Sequence, residues 1–239
     1  MPKVRHWFVI PLALFTTAVV IGLVAVHTSA TRGTELAWNA RIQELRTGWL
    51  NRAMLDVANL ASPIAGLVVL TLLAAFFLGR RDPVQAVATF LVVAVGWTSS
   101  EVAKVIVARN RPPVADSLAP ETGSNSFPSG HTAFAVSLAI AICLLAAGTR
   151  WFRPAVVLGA LWTLLIGFSR LYIGAHYPLD VLGSVVVSSA AIIFLTGLWH
   201  GWIVGNLHRV PLLARFGPVP GPATVPVPET MPVTGEGRR

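Results

Sequence analysis

Three short polar stretches decide how this chain is read: residues 104–112, KVIVARNRP; residues 128–131, PSGH; and residues 169–180, SRLYIGAHYPLD. Each lies at the edge of an apolar run of membrane-helix length. Lys104, Arg111 and Arg170 supply cations, and His131 and His176 supply imidazoles. Asp180 follows His176 by four residues. The rest of the chain is organised around these clusters.

The surrounding composition is 54% hydrophobic and 12% charged, against roughly 25% charged residues in a soluble domain. The mean hydropathy of +0.69 agrees that this is a membrane protein. At about 20 apolar residues per crossing, 239 residues suit one bundle of several spans. The formal charge of +8 comes without a basic run interleaved with aromatics. It therefore reads as loop anchoring to a cytoplasmic leaflet, and no nucleic-acid partner is expected. Cys143 is the single cysteine, so an intrachain disulfide and a cysteine-rich zinc site are both excluded.

The first apolar run, residues 7–26, follows Lys3 and Arg5. A secretory leader also begins this way, with Thr28-Ser29-Ala30 as a loose cleavage site. The usual leader core is about 7 to 15 residues, however, so a retained first span is expected. Residues 31–61 place Trp38, Ile42, Leu45, Trp49, Met54, Leu55 and Leu60 at spacings near three and four, with Arg41, Glu44, Arg46 and Arg52 between them. This pattern predicts one or two amphipathic helices at the interface, serving as a connector or as the rim of a lipid entrance. Further spans are expected over residues 62–79, 83–108, 131–148, 155–173 and 178–204. The fold expected is all-α: a six-span membrane bundle over residues 1–206, with an amphipathic segment between the first two spans. Residues 207–239, rich in proline, are expected to form a disordered cytoplasmic tail.

Six spans put both termini on one face, and parity puts the polar clusters on the other. Lys3, Arg5, Arg80, Arg81, Arg150, Arg153, Arg209 and Arg215 flank the terminal face; only Arg32, Arg41, Arg46, Arg52 and Arg109 flank the other. That excess places the termini in the cytoplasm and the clusters outside.

A phosphate ester spreads its charge over several oxygens, and phosphoryl transfer depends mainly on positioning and electrostatic stabilisation. Lys104, Arg111 and Arg170 supply cations without competing carboxylates, and Glu101 reads as a local partner of Lys104. Pro128-Ser129-Gly130-His131 has the form of a helix mouth: a hydroxyl, a glycine that admits close approach, and N–H groups aimed outward. One histidine can attack phosphorus while the other protonates the departing oxygen. Because Tyr177 precedes Pro178, His176 is expected in a loop and Asp180 in the following first turn, so their contact requires the loop to fold back. Any one of these residues alone would read as an interfacial anchor or a cap. His6, His27, His200 and His208 keep that plain reading, having no companions of matching chemistry.

Taken together the clusters read Lys-x6-Arg-Pro, Pro-Ser-Gly-His and Ser-Arg-x5-His-x3-Asp. In content and order this resembles the three-part signature of the type 2 phosphatidic acid phosphatase (PAP2) superfamily, with every motif position matched over residues 101–182. The resemblance implies that His176 is the nucleophile, Asp180 its orienting partner, and His131 the general acid and later base. Lys104, Arg111, Arg170, Ser129 and the Gly130 N–H would bind the phosphate. It further implies no metal ion, no cofactor and a lipid phosphate substrate at the outer face of a bacterial inner membrane. Undecaprenyl diphosphate is the first expectation. Phosphatidate or phosphatidylglycerol phosphate hydrolysis, phosphotransfer to another acceptor, and a lipid-phosphate transporter with a degenerate site are the alternatives. Oligomeric state is not readable.

Overall fold

The computed structural model describes residues 1–121 and 123–220. Eight principal helices follow one another: α1 (Val9–His27), α2 (Ser29–Gln43), α3 (Gly48–Asn59), α4 (Pro63–Gly79), α5 (Pro83–Val107), α6 (Gly130–Ala146), α7 (Phe152–Ile173) and α8 (Pro178–Leu198). Their starts repeat a few local devices. Ser62 and Asp82 accept from the N–H groups of Ala65 (3.3 Å) and Gln85 (2.9 Å), and Ser129 accepts from Thr132. Pro63, Pro83 and Pro178 fill first-turn positions, where no N–H partner is needed.

α1, α5, α7 and the helical run from Pro178 to Arg209 are long and apolar enough to cross a membrane. A fifth crossing exists if α3 and α4, bent by 48° at their junction, act as one. α4 and α6 have 17 residues each, about 25 Å of helix, slightly less than a hydrocarbon core of about 30 Å. Of the six expected spans, four are thus long enough alone, while the helices at the other two, α4 and α6, are shorter than a full crossing. Residues 31–61 hold two helices, as the spacing predicts, but α2 buries the polar side chains of Glu35 and Asn39.

The core lies where α5, α6, α7 and α8 meet, around Val93, Phe134, Ile166 and Ile192. Without a hydrophobic drive between helices in lipid, close approach depends on small residues. Gly22 of α1 and Gly183 of α8 serve in this way, making room for a fully buried wedge, Phe127: a Cβ on Gly22 would lie 2.9 Å from its ring, and one on Gly183 would lie 2.5 Å away. The wedge seats the segment that opens α6.

Beyond α8 the helix continues through a π-helical turn, Trp199–Ile203, into short turns at Leu207–Arg209 and Pro211–Ala214. The expectation of a structureless chain after residue 206 is corrected here. Leu207 is buried in a cluster with Ala88 and Trp199, which rewards helical turns that the proline content did not suggest. The remainder of the expected tail, residues 221–239, lies outside the described residues.

Candidate active site

α5 ends at Ala108 in a left-handed conformation, φ +49°, which turns the chain sharply out of the helix. The loop that follows returns alongside its own beginning. Ser126 N donates to Arg109 O at 2.7 Å, Ser126 Oγ to Asn110 O at 3.2 Å, and Asn125 Nδ2 to the carbonyl of Lys104 at 3.2 Å. These bonds place Arg109 and Arg111 beside the segment Pro128-Ser129-Gly130-His131. The helix mouth predicted there forms, with Ser129 as N-cap. The Ser129 hydroxyl accepts from both the N–H and the hydroxyl of Thr132, which leaves its own proton free to donate.

His176 sits in the turn between α7 and α8, and Asp180 in the first turn of α8, as expected. The loop does fold back: His176 Nδ1 lies 3.4 Å from Asp180 Oδ2, and the same oxygen accepts from Tyr177 N at 2.8 Å. His176 Nε2 lies 3.2 Å from Arg111 Nη1. This pairing puts the proton on Nδ1 and the lone pair on Nε2. Burial, reinforced by the charges of Arg111 and Arg170, holds His176 well below the ordinary imidazole range, so at neutral pH it is an uncharged base.

His131, His176, Lys104, Arg111 and Gly130 line one cavity of about 300 Å³, whose apolar side is formed by Ala61, Pro63 and Trp97. Lys104 Nζ is 3.3 Å from where a Cβ on Gly130 would stand, so a side chain there would crowd the ammonium. Arg170, almost fully buried in α7, reaches the site through Glu121, and its Nε has no hydrogen-bond partner among the described residues. Ser169 donates to Ile166 O and serves the helix instead. Two links join the helix mouths: Ser129 N donates to Asp180 O at 3.1 Å, and the Ser184 hydroxyl shares its proton between Ser129 O (2.9 Å) and Asp180 O (2.8 Å).

The expectation of cations without competing carboxylates is corrected. Glu121 pairs with Arg170 and lies 3.8 Å from Arg111, while Glu101 pairs with Lys104 at 2.6 Å. Burial alone would raise the Glu121 carboxyl, but Arg170, His131 and Arg111 overcome it and hold the group below its usual range. Glu121 escaped the sequence reading because a loop of prolines and glycines gives no register. Arg109 was counted among the flanking charges, yet it is 3% exposed and donates to Asp180 Oδ1 at 2.8 Å. Its other partner is Glu35, and Asn39 Nδ2 donates to His176 O at 2.9 Å. Glu35 and Asn39 are four apart on α2, a polar pair on one helical face that was the available signal.

The model of the PAP2 superfamily matches residues 84–203, half of the chain, and takes in the mouths of α6 and α8. The chain belongs to the PAP2 superfamily. This PAP2 protein is 45% identical over 71 residues to the undecaprenyl-diphosphatase BcrC of Bacillus subtilis, an alignment covering 30% of this chain and 34% of that relative. Over 193 residues it is 28% identical to an undecaprenyl-diphosphatase of Sulfolobus acidocaldarius, covering 79% of this chain and 88% of the other. Among solved structures it resembles the transmembrane PAP2-type phosphatidylglycerolphosphate phosphatase of Bacillus subtilis, at TM-score 0.67 and 25% identity, over 81% of this chain and 98% of that one. The family and these relatives make the chain a phosphatase, and its apolar helices suit it to a membrane.

Proposed function

We propose that this PAP2 phosphatase removes the terminal phosphate of a lipid phosphate or diphosphate, undecaprenyl diphosphate first among them, through a phosphohistidine at His176. The observation that carries this reading is the His176 ring, pinned at Nδ1 by Asp180 and turning Nε2 into the cavity it shares with His131, Lys104 and Arg111. Nε2 attacks phosphorus as the bond to the leaving oxygen breaks, and His131 gives that oxygen its proton. Asp180 balances the positive charge on the phosphorylated ring. His131, now a base, takes a proton from water, which attacks phosphorus and frees the ring. Lys104, Arg111, Arg170, Ser129 and the Gly130 N–H hold the phosphate oxygens, with no metal ion required.

The apolar side of the cavity suits a substrate whose head reaches the cations while its chains remain in lipid. In this reading α4 and α6 are short crossings that bring the total to six, and the excess of basic residues flanking the terminal face supports a site at the outer face of a bacterial inner membrane, with α2 and α3 at the interface. The undecaprenyl reading draws on two relatives so named; the structural likeness to a phosphatidylglycerolphosphate phosphatase supports that monoester as the second reading.

A phosphate-release assay on the full chain in detergent, with chelator present, tests this across undecaprenyl diphosphate, phosphatidylglycerol phosphate and phosphatidate. Release from undecaprenyl diphosphate at the highest kcat/KM is expected, and a clear preference for a monoester would displace it. His176→Ala is expected to abolish release while the protein stays folded, and undiminished turnover would remove the nucleophile assignment. His131→Ala should slow release strongly, and least for substrates with good leaving groups.

A further inference from the structure

The site contains a buried pair that the phosphohistidine chemistry has not yet used. Arg109 donates through Nη1 to Asp180 Oδ1 and through Nη2 to Glu35 Oε2, and its guanidinium lies 4.0 Å over the Tyr177 ring. Glu35 Oε1 accepts from Leu179 N at 2.9 Å, in the first turn of α8. All three charged groups are at least nine-tenths buried: Glu35 is 5% exposed, Arg109 3% and Asp180 0%. Three charges this far from water are costly unless each is compensated, so their arrangement bears on the chemistry beside them.

We infer that Glu35, acting through Arg109, is a positioning residue for the nucleophile, which makes α2 part of the catalytic apparatus. This inference rests on the phosphohistidine reading given above. Two effects combine. Arg109 occupies Oδ1 and thereby leaves Oδ2 to face His176 Nδ1, which fixes the tautomer whose lone pair is on Nε2. Arg109 by itself would also neutralise Asp180 and leave nothing to balance a phosphorylated, Nδ1-protonated ring. Glu35 restores the missing charge: Glu35, Arg109 and Asp180 together carry one net negative charge, which matches the single positive charge that develops on His176. None of the three lines the cavity that would take the phosphate, so the effect belongs to the rate of transfer rather than to binding.

The test separates charge from shape. In the full-length protein in detergent, with a lipid phosphate as substrate, Glu35→Gln keeps the volume and one acceptor oxygen, which can still face Leu179 N, but loses the charge and the acceptor towards Arg109. Glu35→Asp keeps the charge and loses length. Glu35→Gln is expected to lower kcat about tenfold to hundredfold, the range found when an outer hydrogen-bond partner is lost, with KM within about twofold. Glu35→Asp should retain more kcat than Glu35→Gln. A Glu35→Gln enzyme at parental kcat, a loss carried by KM, or Glu35→Asp slower than Glu35→Gln would each overturn the inference. If Glu35→Gln does not fold, Arg109→Lys, which keeps the charge but gives up the two-pronged contact, is measured for the same split: a kcat loss at constant KM supports the inference and parental kcat overturns it. His176→Ala keeps the two failures apart. Should that variant turn over substrate, the phosphohistidine reading fails; if it is dead while Glu35→Gln runs at full rate, only the role of Glu35 fails.

Discussion

Glu121 spans Arg170 and Arg111, so an anion that binds those guanidinium groups must first displace a carboxylate. Removing that competitor should strengthen anion binding. In Glu121→Gln, inhibition by inorganic phosphate should tighten about tenfold, the scale of one charge-assisted hydrogen bond, and an unchanged inhibition constant would count against the competition. At this scale the motif residues were legible because their types and spacings match a demanding chemistry: His176, Asp180, His131, Lys104, Arg111 and Arg170 are all at or beside the cavity. Their supports were not legible. Glu35 is 145 residues from Asp180 along the chain and Glu121 is in an irregular loop, so no local period connects either to its partner. Arg109, two residues from Arg111, looked like one more flanking charge.

Helix starts carry strong chemical signals and helix ends weaker ones, which is why the mouths of α4, α5, α6 and α8 were predicted within a residue or two. The left-handed end of α5 was not. Ala108 is exposed and sits at φ +49°, where a Cβ costs about 1–2 kcal/mol that glycine avoids. Ala108→Gly should therefore raise unfolding stability by about 1 kcal/mol, read from denaturation in detergent, and a loss of stability would show that the strain is not there. The opposite holds at α8. A methyl on Gly183 would lie 2.5 Å from the buried Phe127 ring, with no flexible side chain to yield. Gly183→Ala should cost about 1–3 kcal/mol and reduce turnover, because Phe127 seats the mouth of α6. Residues 207–214 were misread for a related reason: a short apolar contact, Leu207 against Ala88 and Trp199, holds turns that have too little length to show periodicity.

Across the whole molecule, composition and hydropathy pointed to the membrane class, and the long apolar helices fit it. The span count was harder, because two helices stop short of a full crossing and α3 bends into α4 by 48°. Burying a neutral His176 also links stability to pH. Above about pH 6.5 the imidazole is neutral in both states and contributes nothing. Below that, the unfolded chain binds a proton that the folded chain refuses, so stability falls on acidification. Glu121, held below its usual range, adds a loss in the same direction at lower pH. The melting temperature should fall between about pH 7 and pH 5, as stability drops by up to about 1.4 kcal/mol per pH unit through His176, and His176→Asn should make that fall shallower. The same depressed basicity should keep the acid limb of kcat/KM below the ordinary imidazole range. Finally, the bond from Ser129 N to Asp180 O, doubled by Ser184, rivets the start of α6, which carries His131, to the first turn of α8, just past His176. With that corner tied, loosening of the bundle is expected first at the apolar side of the cavity, beside Pro63 and Trp97, before it changes the spacing between the two rings.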